Sequence, residues 1–466
     1  MENNLSFFGG LDTVGGVHLL FGRGETGLLF DAGIQHGGLF TAPFIHLNDP
    51  MAKPIPRRDI RQYLLNRMAP PILNLYDPSL LGSLTKADLQ RVWPEKQLPN
   101  YKNHYVFVSH VHQDHIALVP FLDESITVFM HQDVYASYQA LVAAGYYFGT
   151  RANIETFVDG QVIDLGDFQI QPIETDHNAT GTSGFILKTE EHKTAFTADW
   201  RIQDRYPGRM EKFIQTCQSE KIDVLITETT RVNKESLINE EADRLESTVM
   251  YDYSRIIEEA PGLTYLYALP MDLERTAEII ARTKATGKTL VMEKNIATFW
   301  HEAIKNGISA LEGHPSITDM STIKVLDTIH SLPYETVTID DIVTDKSNYV
   351  VHLSYQSIAY ITEFERLGQQ SKSVYIHANA PAKQQVMQKW LKAFRISYHD
   401  ISNKGHATHQ EITNLVERIQ PGVVIPVHGR TPFLLQTRGV AKYFPEYGET
   451  TTLASILSNQ QLKASF

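Results

Sequence analysis

The segment His110-Val111-His112-Gln113-Asp114-His115 constrains this chain more than any other. It sets four potential metal ligands directly after the apolar run Tyr105-Val106-Phe107-Val108. A buried strand that exits into such a loop presents His110 and His112 on one side by period-two alternation, while Asp114 and His115 curl back toward them. One turn then offers two adjacent ligand sets. Imidazole nitrogens and carboxylate oxygens suit zinc or manganese, and two ions about 3.5–4 Å apart clamp both the attacking and the leaving oxygen of a phosphate displacement.

Other candidates also stand at predicted strand ends. His177 follows the run around Ile173 and precedes a turn holding Gly181 and Gly184; Asp199 closes Ala195-Phe196-Thr197; His428 closes Val423-Val424-Ile425-Pro426-Val427. Each alone reads as a turn residue or a hydrogen-bonded histidine. Together with the six-residue segment they are expected to converge on one sheet edge.

The pattern of elements changes along the chain. From Leu5 to Gly33 short apolar runs broken by glycines predict paired strands, and further strands are expected at 126–130, 169–173, 184–188 and 194–197. Beyond about residue 205, strands alternate with amphipathic helices, as in a parallel sheet covered on both faces. Here strands are expected at 223–227, 264–268, 289–292, 348–353 and 373–377, with helices from Asp272 to Gly287 and from Ser357 to Leu367. The tail returns to a helix, 410–418, and the strand that ends at His428. A length of 466 residues fits two domains or one core with a large insertion.

Composition narrows the function classes. Apolar residues make up 42% and charged residues 21%, which fits a soluble globular protein. The single cysteine, Cys217, excludes an intrachain disulfide framework and a thiolate metal cluster. The first residues carry an acid and no basic stretch, and no apolar run approaches a membrane span, so a cytoplasmic protein without a membrane partner is expected. A formal net charge of −12 opposes broad nucleic-acid binding. Two basic clusters, Arg57, Arg58, Arg61 and Arg67, then Arg201, Arg205, Arg209 and Lys212, would form a local basic lane on that acidic body.

In order, the motifs Leu29-Phe30-Asp31-Ala32-Gly33, His110-x-His112-x-Asp114-His115, His177 and Phe196-Thr197-Ala198-Asp199 resemble the series of the metallo-β-lactamase superfamily. The resemblance implies an αββα sandwich of α/β class and two divalent metals, Zn2+ first and Mn2+ as the alternative. It assigns His110, His112 and His177 to one metal, Asp114, His115 and His428 to the other, Asp199 as the bridging carboxylate, and Asp31 as support for a ligating histidine. Three later islands resemble the β-CASP nucleases, and among them ribonuclease J: Leu225-Ile226-Thr227-Glu228, Gly405-His406-Ala407, and Pro426-Val427-His428-Gly429-Arg430. They imply a β-CASP α/β domain inserted at 206–384 between sandwich segments 1–205 and 385–466. They also imply catalytic roles for Asp114, Asp199, Glu228 and His406, with Glu228 keeping His406 protonated. A histidine in the third island is the pattern tied to RNA substrates.

Specificity is where the chain departs from ribonuclease J. The stretch 34–104 is long and proline-rich, and is expected to form a lid. Ser354 and Ser357 stand where that family has a phosphate-binding turn, with Ser357 equally readable as a helix cap; Arg201 and Lys404 are further candidate RNA contacts. With about 40 residues after the last island, the family's C-terminal domain is expected to be absent, so a homodimer would need another surface. The leading expectation is a ribonuclease, exonucleolytic from the 5′ end or endonucleolytic. The alternatives are a hydrolase of a small phosphodiester or other ester, and a non-catalytic RNA-binding scaffold.

Overall fold

The computed structural model describes residues 2–35, 58–238, 243–378 and 384–458. Its first sheet comprises β1 (Asn4–Gly9), β2 (His18–Arg23), β3 (Thr26–Phe30), β4 (Asn103–Val108), β5 (Thr127–His131) and β6 (Asn153–Phe157), with β21 (Thr450–Thr452) beside β1. The second comprises β7 (Ile163–Asp164), β8 (Gln169–Glu174), β9 (Ser183–Lys188), β10 (Lys193–Phe196), β11 (Val224–Glu228), β19 (Val423–Val427) and β20 (Ala441–Lys442).

The two sheets face each other because alternate residues are large and apolar on one side. Leu28, Phe30, Phe107 and Phe129 of the first meet Phe185, Phe196, Val224, Ile226 and Ile425 of the second, with Phe30 and Phe185 ring centroids 5.1 Å apart. The intervening residues face outward and are covered by helices. Leu29, Val106 and Val108 lie under the helix Gln132–Ala143; Ile186, Leu225 and Val424 lie under the helices Pro207–Glu220 and His409–Ile419. Cys217 is buried in that second cover. This is the αββα arrangement expected from the sequence.

A third, wholly parallel sheet runs in the order β15 (Glu335–Val337), β14 (Ile323–Leu326), β13 (Thr289–Met292), β16 (Tyr349–His352), β12 (Thr264–Tyr267), β17 (Val374–His377) and β18 (Ser397–Asp400). Both faces are buried, Leu290 and Val350 on one and Val291 and Val351 on the other, as near-continuous apolar strands demand. Its helix Lys294–Lys305 packs on Gln132–Ala143, and Asp133 accepts hydrogen bonds from the N–H and Oγ–H of Ser309, at 2.8 and 2.9 Å.

Three sequence expectations differ from the structure. The strand expected at 223–227 within the inserted block is β11, which pairs with β10 and β19 and so belongs to the second sheet. The helix expected over 357–367 is a 3-10 turn, Tyr355–Tyr360, followed by the short helix Ile361–Phe364. The lid expected over 34–104 is, at 58–98, a cover on the first sheet. Ile60, Leu64, Leu75, Tyr76, Leu89 and Trp93 are buried there, because its apolar residues find the sheet rather than solvent. Residues 36–57, with Pro54, Pro56 and Arg57, lie outside the described residues. Among the described residues no helix is long and apolar enough to cross a membrane.

Candidate metal centre

β3, β4, β8, β10, β11 and β19 each end beside one crevice between the first two sheets, and each delivers a polar residue just past its last apolar one. Asp31 follows β3, His110 follows β4, His177 follows β8 and Asp199 follows β10; Glu228 ends β11, and His428 follows β19. Asp31, Ala198 and His428 adopt the left-handed region, with φ of 60°, 52° and 52°, a cost met by non-glycine residues chiefly where a side chain must be aimed. The turn carrying Asp114 and His115 is pressed on the backbone of Gly33, where an added Cβ would stand 1.7 Å from Asp114 O. Gly15, at φ +81°, leaves room for Asp114 itself.

The side chains form two groups. His112 Nδ1 lies 3.1 Å from His110 Nε2 and 3.2 Å from His177 Nε2. In the second group His428 Nε2 lies 3.2 Å from both His115 Nε2 and Asp114 Oδ2. Asp199 stands between them, Oδ2 being 3.3 Å from His115 Nε2 and 3.8 Å from each of His110 and His177 Nε2. His110, Asp114, His115, His177, Asp199 and His428 are all buried.

The hydrogen bonds on the far side of each ring decide which nitrogen faces inward. His115 Nδ1–H donates to Asp31 at 2.8 Å, and His177 Nδ1–H donates to the Gly405 carbonyl at 2.6 Å. Ser109 Oγ–H donates to Asp31 and therefore accepts from His110 Nδ1–H at 2.9 Å. Thr230 Oγ1–H donates to His428 O and therefore accepts from His428 Nδ1–H at 2.7 Å. These four rings are thus fixed with Nε2 turned toward the other group members, while His112 presents Nδ1, an arrangement that a shared divalent cation satisfies and a dry apolar core does not. Burial and neighbouring imidazoles hold the His110 and His177 pKa values well below the usual histidine range, so these rings stay neutral donors. For His115 burial acts in the same sense, but Asp199, Asp31 and Asp114 outweigh it and raise its pKa well above that range. Burial opposes the charge of Asp199, yet His428, His115 and His406 hold its pKa well below the ordinary carboxylate range.

Beside the second group, His406 Nδ1 lies 3.0 Å from Glu228 Oε2 and 3.7 Å from Asp199 Oδ2. Glu228 is aimed by the N–H groups of Trp200 and Thr230, at 3.1 and 3.3 Å. Burial disfavours the His406 imidazolium, but Glu228 and Asp199 outweigh it and lift the pKa to about 9.

Comparison with known proteins follows the same outline. Residues 75–292 match the family model of the beta-lactamase superfamily domain. Ribonuclease J of Mycoplasma genitalium is 21% identical over 382 residues, 77% of this chain and 62% of that relative's length. A crystal structure of a protein of unknown function from Enterococcus faecalis V583 superposes with a TM-score of 0.74 at 20% identity, covering 97% of this chain and 100% of the other. The match over 75–292 and the likeness to ribonuclease J support the metallo-β-lactamase superfamily for this chain. That match and the His/Asp groups together point to a hydrolase that binds divalent metal.

Several residues read as RNA contacts are otherwise engaged. Arg201 is buried, 3.1 Å from Asp176, 3.3 Å from Glu246 and 3.9 Å from Asp272, and so is withdrawn from that set. The expected basic lane is neutralised in the same way: Arg205 pairs with Glu246 and Asp272, Arg209 with Glu174, and Lys212 with Asp159. Arg67 lies over the Trp93 ring, 4.8 Å from its centroid, rather than in an open cluster. Ser354 donates its N–H and its Oγ–H to Glu293, so a carboxylate of the chain itself occupies the turn read as a phosphate site, and Ser357 Oγ lies 3.2 Å from Ser354 Oγ. Lys404 is exposed next to Gly405. Ser109, Thr230, the Gly405 carbonyl and Gly15 were not singled out from sequence. Only the position of Ser109 against His110, and of Thr230 after Glu228, carried a hint.

Proposed function

We propose that this chain is a β-CASP ribonuclease resembling ribonuclease J, hydrolysing RNA phosphodiester bonds at a centre for two divalent metals, zinc first and manganese as the alternative. The observation that carries the reading is the pair of ligand groups on either side of Asp199, with the His406–Glu228 pair beside them. His110, His112 and His177 would hold one ion, Asp114, His115 and His428 the other, and Asp199 both; Asp31 orients His115. When bound, the ions supply hydroxide near neutral pH and neutralise charge on the phosphate.

The remaining work falls to the chain's own groups. His406, kept as imidazolium by Glu228, is placed to donate a proton to the leaving 3′ oxygen or a hydrogen bond to a non-bridging phosphate oxygen. Asp199 aims the nucleophile and, with Asp114, holds negative charge against His115, His406 and His428. Lys404 is the RNA contact retained from the sequence. The similarity to ribonuclease J supports RNA as the substrate, in a cytoplasmic setting that suits a single buried thiol. The division into 1–205, 206–384 and 385–466 belongs to the same reading, with the pairing of β11 and β18 favouring an insert nearer 243–400.

The test is cleavage of end-labelled RNA carrying 5′-hydroxyl, monophosphate or triphosphate, with Zn2+ and Mn2+ each supplied, beside a chromogenic small phosphodiester. RNA turnover abolished by Asp114→Asn is the expected result. Turnover of the small ester alone would sink the RNA reading, and metal uptake without any hydrolysis would leave a scaffold.

A further inference from the structure

The loop 401–408 joins the inserted sheet to the metal centre. It leaves β18 with Ile401 N–H on His377 O at 2.9 Å, and ends at Thr408, which caps the helix His409–Ile419. Midway, Asn403 is 5% exposed. Its Oδ1 accepts from Arg275 Nη2 at 2.6 Å, and its Nδ2 donates to Glu246 Oε1 at 2.8 Å. Two residues on, the Gly405 carbonyl accepts from His177, and His406 follows on Glu228.

Glu246 is the hub of this arrangement. It stands in the helix Glu246–Glu259 of the insert and also receives Arg275 Nε at 3.2 Å, while Arg201 and Arg205 each stand 3.3 Å away. Arg275, in the helix Leu273–Ala285, donates as well to the Ala378 carbonyl at the end of β17, at 2.7 Å. Arg201 comes from the other side: it follows Asp199 by two residues, and its N–H donates to Asp176 O, next to His177, at 2.8 Å. Buried ion pairs seldom stabilise a fold more than apolar packing of the same volume, but they fix one relative placement of the parts they join. The parts here are the insert, the loop 401–408 and the two strand ends that supply His177 and Asp199.

We propose that Glu246, Arg275 and Asn403 are positioning residues that register the insert against the two metal-holding sheets, and so set the Gly405 carbonyl on His177 and His406 on Glu228. The inference rests on the metal-centre reading above. It makes the placement of the insert a condition of metal geometry as well as of substrate binding.

The test uses the full chain loaded with Co2+, reading the visible spectrum, the metal affinity by chelator competition, and turnover of bis(p-nitrophenyl) phosphate. Asn403→Ala should alter the cobalt spectrum, weaken metal binding about tenfold, and lower kcat about tenfold with KM within about twofold. Asn403→Ser should recover part of each change. Ser373→Ala removes a buried hydrogen bond to Glu365 elsewhere in the insert, so it should lower the melting temperature and leave the cobalt spectrum alone. Should Asn403→Ala not fold, Arg275→Lys, which keeps the charge and loses the fork, is read in its place. An unchanged spectrum, affinity and kcat in a folded variant overturns the proposal. A wild-type chain that takes up no cobalt overturns the metal reading itself, a failure visible without any variant.

Discussion

The rings of the centre differ in what each is asked to do, and the hydrogen bonds behind them predict separate phenotypes. Asp114→Asn and His115→Ala remove a donor from the second group, and should cost metal at that group and at least about 100-fold in hydrolysis. His406→Gln removes no metal ligand in this reading; metal content should stay at the wild-type level while kcat falls by about 10²–10⁴. The pH profile separates His406 further. Its pKa is raised to about 9, above the ordinary histidine value, so the protonated form persists through neutral pH and is lost as pH rises through the raised value. A falling alkaline limb is expected, and Glu228→Gln should move that limb to lower pH. A limb that stays in place in Glu228→Gln would exclude the pairing as its cause. At this scale the sequence was readable where chemistry is concentrated: four donors in six residues announce themselves. Ser109, Thr230 and the Gly405 carbonyl did not, because their roles come from contacts with rings that only tertiary folding brings near.

Among the elements, strand ends were easier to read than what covers them. Apolar runs ending at His110, Asp199 and His428 marked the strand termini, since a buried strand must give way to a polar residue where the sheet stops. The block 58–98 misled, because its prolines and arginines read as a loop while its buried residues are too widely spaced to show one period. Ser354 misled for another reason. A turn rich in donors draws an anion, and here the anion is Glu293, contributed from the end of β13. Glu293→Ala should therefore free those donors and raise the preference for 5′-monophosphate over 5′-hydroxyl RNA, if that turn faces the substrate; equal rates on both ends would show that it does not. The contact of Asp133 with Ser309 is a second tie between the insert and the first sheet. Asp133→Ala should lower stability by about 1.5–3 kcal/mol in thermal unfolding, since it removes a buried charged acceptor of the Ser309 N–H and Oγ–H.

For the molecule as a whole, the buried charges between insert and sandwich give stability a pH signature. Glu274 has its pKa raised to about 7, mainly by burial and further by Asp272 and Asp176, against the opposing pull of Arg209 and Arg205. The folded chain thus keeps a proton there that the unfolded chain sheds near pH 4.5, and this contribution to stability declines as pH rises from about 4.5 to 7. Glu274→Gln should melt higher than wild type at pH 8 and lose that advantage at pH 5. The architecture also carries a schedule. The trio His110, His112 and His177 is complete early in the polypeptide, whereas His428 arrives only after the whole insert has left the ribosome. A nascent chain halted before β19 holds Asp114, His115 and Asp199 but lacks His428, which completes the second group. A complete metal centre is therefore among the last things translation supplies to this fold.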